Sequence, residues 1–97
     1  MAEPSPLEKD IASLFAKTIR ERREELGMSQ EEVAQKAGID RNHYQLMEHA
    51  RSDRKSNRPV NPQMFTLLRL AEALDTPLEE LIEGISITYR RESETGV

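Results

Sequence analysis

Twenty residues in the middle of the chain, SQEEVAQKAGIDRNHYQLME from Ser29 to Glu48, restrict the fold more than any other stretch. Ser29 with Glu32 three residues on forms a capping box, in which hydroxyl and carboxylate each satisfy the other's backbone N–H. Val33, Ala34 and Ala37 then recur at helical spacing. Gly38 suits the left-handed position that closes a helix. Ile39 is an apolar plug in the turn. Asp40 can cap a second helix, on which Tyr44 and Met47 stand three apart and point inward. Helix, glycine turn, second helix is a helix-turn-helix unit.

The chain around this unit is short. Its 97 residues amount to one domain. Only four aromatic residues occur, two Tyr and two Phe, with no Trp, so the core must come from Leu, Ile, Ala and Met. A chain of this size buries limited surface, and dimerisation is a useful supplement. The absence of cysteine excludes disulfides and thiolate metal sites and is compatible with a reducing cytosol. No apolar run approaches the roughly 20 residues of a membrane span. The start, MAEPSPLEKD, is acidic and lacks the basic and apolar regions of a signal peptide. A cytoplasmic protein with no membrane partner is the expectation.

Taken in order, residues 1–6 read as a disordered N-terminus, because Pro4 and Pro6 break regularity. A first helix starts near Leu7 and carries Leu7, Ile11, Leu14, Phe15, Ile19 and Leu26 as one stripe, with Gly27 at its end. Its first turns exceed what a small domain needs; they pack on a partner subunit or along the C-terminal helices. After Glu48, HARSDRKSNRPVN reads as a loop, with an extra helical turn through Ala50 or Arg51 as an alternative, and Pro59 holds Arg58 extended. Asn61 caps a fourth helix with Pro62 at its first position, and Asp75 ends it. Thr76 caps a fifth, with Pro77 next, and Gly84 closes it. The domain then spans 7–84. In the tail, 85–97, Ile85, Ile87 and Tyr89 alternate with Ser86, Thr88 and Arg90 in a strand-like pattern. Such a strand pairs with its copy in a dimer or with another protein; a loosely packed tail is the other reading.

The net charge is −4, but distribution matters more than the sum. Between Arg41 and Arg69 stand six cations, Arg41, Arg51, Arg54, Lys55, Arg58 and Arg69, against Glu48 and Asp53, a net +4 that leaves −8 for the remainder. A basic middle between acidic ends fits one nucleic-acid-facing surface on an acidic body, and equally a solvated charged loop.

Five helices in this order, with LGMSQEEVAQKAGI at Leu26–Ile39 and LLRLAEALDTPLEELI at Leu67–Ile82, resemble the phage-repressor-like helix-turn-helix family, also called the Cro or xenobiotic-response-element type. The resemblance runs from about Phe15 to Glu83. It implies an all-α, five-helix, lambda-repressor-like DNA-binding domain, here with an extended first helix. In that family the third helix lies in the major groove of double-stranded DNA and the second crosses the backbone. Arg41, Asn42, Gln45 and Leu46 would then face the bases, with His49 lower down against the backbone. Arg suits guanine, and Asn or Gln suits adenine. The bland alternative is a solvated polar face. The resemblance also implies that Gln30 contacts a phosphate and braces the first base-reading residue. Ser29 shares that backbone-facing position but is better used as a cap. Arg23 and Glu48 match a family ion pair that docks the third helix.

The sequence departs from the family after Glu48. Relatives commonly have glycine where Ala50 stands, followed by a short link. Here the link is longer and carries Arg51, Arg54, Lys55 and Arg58, which reach phosphates or the minor groove or else form a charged surface loop. The implied function is sequence-specific transcriptional regulation, as a repressor homodimer on a palindromic operator. The second reading is an antitoxin or other protein-interaction module built on the same fold.

No chemistry competes with this. His43 and His49 are six apart and do not share a helix face. Neither a glycine-rich phosphate loop nor a nucleophile with a convincing base occurs. An enzyme, a metal site or a cofactor is not expected.

Overall fold

The helix boundaries follow from their caps. The computed structural model describes residues 5–52, 55 and 58–95. It contains α1 (Pro6–Glu25), α2 (Gln30–Ala37), α3 (Arg41–Glu48), α4 (Met64–Ala73) and α5 (Leu78–Thr95). Ser29 Oγ accepts from Glu32 N at 3.0 Å, and Ser29 N donates to Glu32 Oε1 at 2.9 Å. The bonds from the Ser29 backbone and side chain hold the Glu32 carboxyl below the usual range. Asp40 Oδ2 accepts from the backbone N–H groups of Asn42 and His43 at 3.0 and 3.3 Å. A second capping box joins Ser5 and Glu8, at 3.1 Å in each direction. The N-terminus is therefore ordered from Ser5, earlier than residue 7, because Ser5 caps the helix and Pro6 suits its first position. Residues 1–4 lie outside the described residues.

Left-handed residues close the helices. Gly38 has φ 67° after α2. Ala50 has φ 62° after α3, where Ala50 N donates to Met47 O at 3.1 Å and Arg51 N to Leu46 O at 3.0 Å, the paired bonds of a Schellman closure. The extra helical turn through Ala50 does not form. A Cβ in this conformation costs roughly 1–2 kcal/mol. Ala50→Gly relieves that strain and offsets it in part with a freer unfolded chain, so a net stabilisation of about 0.5–1 kcal/mol is expected. The urea midpoint should rise; a fall would show the turn to be unstrained.

The core is gathered from all five helices. Ile19, Val33, Tyr44, Met47, Leu70 and Leu74 are its largest fully buried side chains. α1 lies chiefly along α5, and Leu7, Ile11 and Leu14 in its first turns are half-buried.

Three sequence expectations need correction. The tail, read as either a pairing strand or a loosely packed end, is helix: α5 runs unbroken through Gly84 to Thr95. Leu78, Leu81, Ile82 and Ile85 pack on the core at helical spacing, and that burial overrides the alternation of Ile85, Ile87 and Tyr89. Gly84 closes nothing; a Cβ there would sit 3.7 Å from Leu14 Cδ2, in ordinary contact with α1. α4 begins at Met64, with Gln63 in the cap position and no side-chain cap bond. The Asn61–Pro62 start is lost because the preceding segment is tied extended. Val60 N donates to Ala50 O at 3.0 Å, and Arg51 pairs with Pro59 as an antiparallel bridge. Thr76 is held by the Arg22 guanidinium, whose Nε donates to Thr76 Oγ1 at 2.8 Å and to Leu74 O at 2.9 Å.

Candidate nucleic-acid interface

The site is organised around one buried carboxylate. Glu48 ends α3 with its side chain 2% exposed. Arg23 on α1 straddles it, with Nε donating to Oε2 at 2.7 Å and Nη2 to Oε1 at 3.1 Å. The two parallel bonds form a bidentate fork. The remaining arm of Arg23, Nη1, donates to Met28 O at 3.0 Å and so ties the turn before α2. The Tyr44 hydroxyl donates to Glu48 Oε2 from one turn earlier on α3. Gln30 Nε2, on the first turn of α2, donates to Oε1 at 2.9 Å.

Three elements therefore meet on one charge, and the titration behaviour follows. Burial pushes the Glu48 carboxyl up, but the hydrogen bonds from Arg23, Tyr44 and Gln30 outweigh it and hold it below the usual range. The bond to Glu48 raises the Arg23 guanidinium further still, and burial followed by the same carboxylate raises the Tyr44 phenol. The charged pair persists throughout the neutral range.

This network orients the outward face of α3. With its amide on Glu48, Gln30 turns its carbonyl outward, and Gln45 Nε2 donates to it at 3.4 Å. Gln30 thus braces Gln45, not the first outward residue, Arg41. Arg41 is exposed and lies 3.7 Å from the exposed Glu31 of α2, a solvent pair of little energetic weight. Asn42, Gln45, Leu46, His49 and Arg51 line one open hollow of about 480 Å³.

The other expected positions are placed as follows. Ser29 has its hydroxyl and N–H committed to Glu32. Arg51, Lys55 and Arg58 are exposed around the bridged loop, and Arg54 lies outside the described residues. His43 is exposed. Sequence reasoning missed the Tyr44 hydroxyl as a partner of Glu48, although four residues on a helix place the two side chains together. It also missed Glu31 beside Arg41. Among the described residues no group of three or more His, Cys, Asp or Glu could hold a metal ion, and no helix is long and apolar enough to cross a membrane.

A capped helix, a left-handed glycine turn and a second helix with a polar outward face, locked from behind by an ion pair, define a helix-turn-helix DNA-binding domain. The family described as "Helix-turn-helix domain" matches residues 14–83, and the chain belongs to it. Among solved structures it is similar to the restriction-modification controller protein C.AhdI from Aeromonas hydrophila. The two are 34% identical, the match covers 72% of this chain and 94% of the other, and the TM-score is 0.60. No curated protein matches significantly.

Proposed function

We propose that this protein is a sequence-specific transcriptional regulator of the cytoplasm that binds a palindromic operator as a homodimer and represses by occluding a promoter. The observation that carries the reading is the outward face of α3. Arg41, Asn42 and Gln45 project from a helix whose inner face is anchored through Glu48 to Arg23 and Gln30. Likeness to a restriction-modification controller supports a regulatory role. A module that only binds proteins has no use for three base-reading side chain types beside a cationic loop.

One domain reads few base pairs, so two copies on a two-fold sequence supply the specificity. Selection from a random duplex library by gel shift should return inverted half-sites about 34 Å apart, one helical turn. Recovery of an asymmetric consensus, or of none, would overturn the reading.

The loop makes a separate contribution. Each phosphate contact adds about −0.9 to the slope of log affinity against log salt. Replacing Arg54, Lys55 and Arg58 together by glutamine should flatten that slope by roughly 2–3 per subunit. An unaltered slope would assign these cations to solvent.

A further inference from the structure

We infer that the buried carboxylate of Glu48 selects the base that Gln45 reads, acting as a positioning residue through the amide of Gln30. The inference rests on the base-reading face proposed above and adds a specificity determinant that does not itself reach DNA. The Glu48 side chain is 2% exposed, so its influence on a duplex must pass through its neighbours.

Hydrogen-bond direction is handed along three side chains. An ionised carboxylate only accepts. Glu48 Oε1 therefore draws the NH2 end of Gln30, at 2.9 Å, and rejects its carbonyl. Gln30 is left with an acceptor on its far side, and Gln45 meets that acceptor with Nε2 at 3.4 Å. One N–H of Gln45 is committed there. Its carbonyl and second N–H remain for the open hollow that Gln45 lines with Asn42, Leu46, His49 and Arg51. One donor beside one acceptor matches adenine, which presents N7 and N6–H in the major groove. Guanine presents two acceptors, N7 and O6, and one of them would face the Gln45 carbonyl. A preference for adenine thus originates in a charge two side chains behind the surface.

The donors around Glu48 dictate what a neutral isostere does. Arg23 Nε, at 2.7 Å, and the Tyr44 hydroxyl donate to Oε2. Arg23 Nη2, at 3.1 Å, and Gln30 donate to Oε1. In Glu48→Gln the oxygen stays at the Oε2 position, which has the shorter Arg23 bond. Tyr44 is fully buried, and turning its hydroxyl to accept would strand its own proton. Gln30 is half-buried and can reverse its amide. With NH2 at the Oε1 position, Gln30 turns its carbonyl inward and its NH2 outward. Gln45 answers with its carbonyl and leaves both N–H bonds for the groove, the two donors that guanine accepts.

Selection from a random duplex library, run in parallel on the wild type and variants, tests the relay. The position at which Gln45→Ala loses its adenine preference is the one Gln45 reads. There the wild type should favour adenine over guanine by about 5- to 150-fold, the range of one bidentate base contact. Glu48→Gln, assayed below its melting midpoint, should shift that ratio toward guanine by about 10-fold or more and leave other positions alone. Combining it with Gln45→Ala should abolish the shift. Gln30→Met leaves the bonds of Arg23 and Tyr44 to Glu48 in place but removes the carbonyl that orients Gln45, so the ratio should fall toward one. A purely structural role for Glu48 would lower affinity for all sequences alike. An unchanged ratio in Glu48→Gln, or a shift that persists without the Gln45 side chain, would therefore overturn the inference. Should Glu48→Gln fail to fold, an unchanged ratio in Gln30→Met would overturn it instead. A wild-type consensus with no adenine that depends on Gln45 would overturn the relay and leave the regulator reading intact. A wild type that selects no consensus would overturn both.

Discussion

Glu48→Ala should lower the stability of the fold by about 3–5 kcal/mol, because it leaves a largely buried guanidinium without its counter-charge. Arg23 is 15% exposed at the side chain, and Tyr44 and Gln30 lose their acceptor in the same step. For a domain near 100 residues each kcal/mol moves the midpoint by roughly 4–8 °C, so thermal melting should fall by at least about 12 °C. An unchanged midpoint would remove the ion pair from the account of how α3 is held.

The same carboxylate sets an acid dependence. Its pKa in the folded protein lies below the ordinary value, so the unfolded chain takes up the proton first as the pH falls. The stabilisation is complete above about pH 4.3, the unfolded glutamate value, and is lost as the pH drops through the folded value. Glu32, also held low, contributes in the same direction. Urea midpoints at pH 7 and pH 3 should therefore differ in the wild type and differ less in Glu48→Gln. Equal differences in the two proteins would place the acid sensitivity elsewhere.

What was legible in the sequence was short-range. Ser29 with Glu32, Gly38 and Asp40 act on backbone groups two to four residues away, and such signals survive without knowledge of the fold. Arg23 and Glu48, 25 residues apart, are brought together by two bonds; no periodicity points to them, and only the family resemblance did. Arg22 had no such guide. It donates to Leu74, Asp75 and Thr76 more than 50 residues away and clamps α1 to the turn between α4 and α5. The tail misled for a different reason: Ile85, Ile87 and Tyr89 satisfy a period of two locally, and only the packing of Ile85 with Leu81 and Ile82 on the core selects the helix. Ala50 was visible as a departure from a familiar glycine, but its left-handed φ of 62° belongs to the folded backbone alone.

The binding face yields the other large expected effect. Arg41→Ala combined with Gln45→Ala should weaken binding to the selected operator by about 2–6 kcal/mol per half-site, at 1–3 kcal/mol for each base-reading side chain. Gln45 spends one N–H on Gln30 and keeps its carbonyl and second N–H for a base edge, the donor and acceptor that adenine requires. Arg41, 59% exposed at the side chain, has only a solvent pair with Glu31 to give up in the proposed contact with guanine. Neither substitution touches the contacts of Glu48 with Arg23 and Tyr44, so thermal stability should change little. Binding to unrelated duplexes at low salt should fall far less, because the cations of the loop, proposed above to meet phosphates, stay in place. Gel-shift titrations on the operator and on a scrambled duplex separate the two effects. A loss of equal size on both would make Arg41 and Gln45 backbone contacts and move base reading to Asn42 and Leu46.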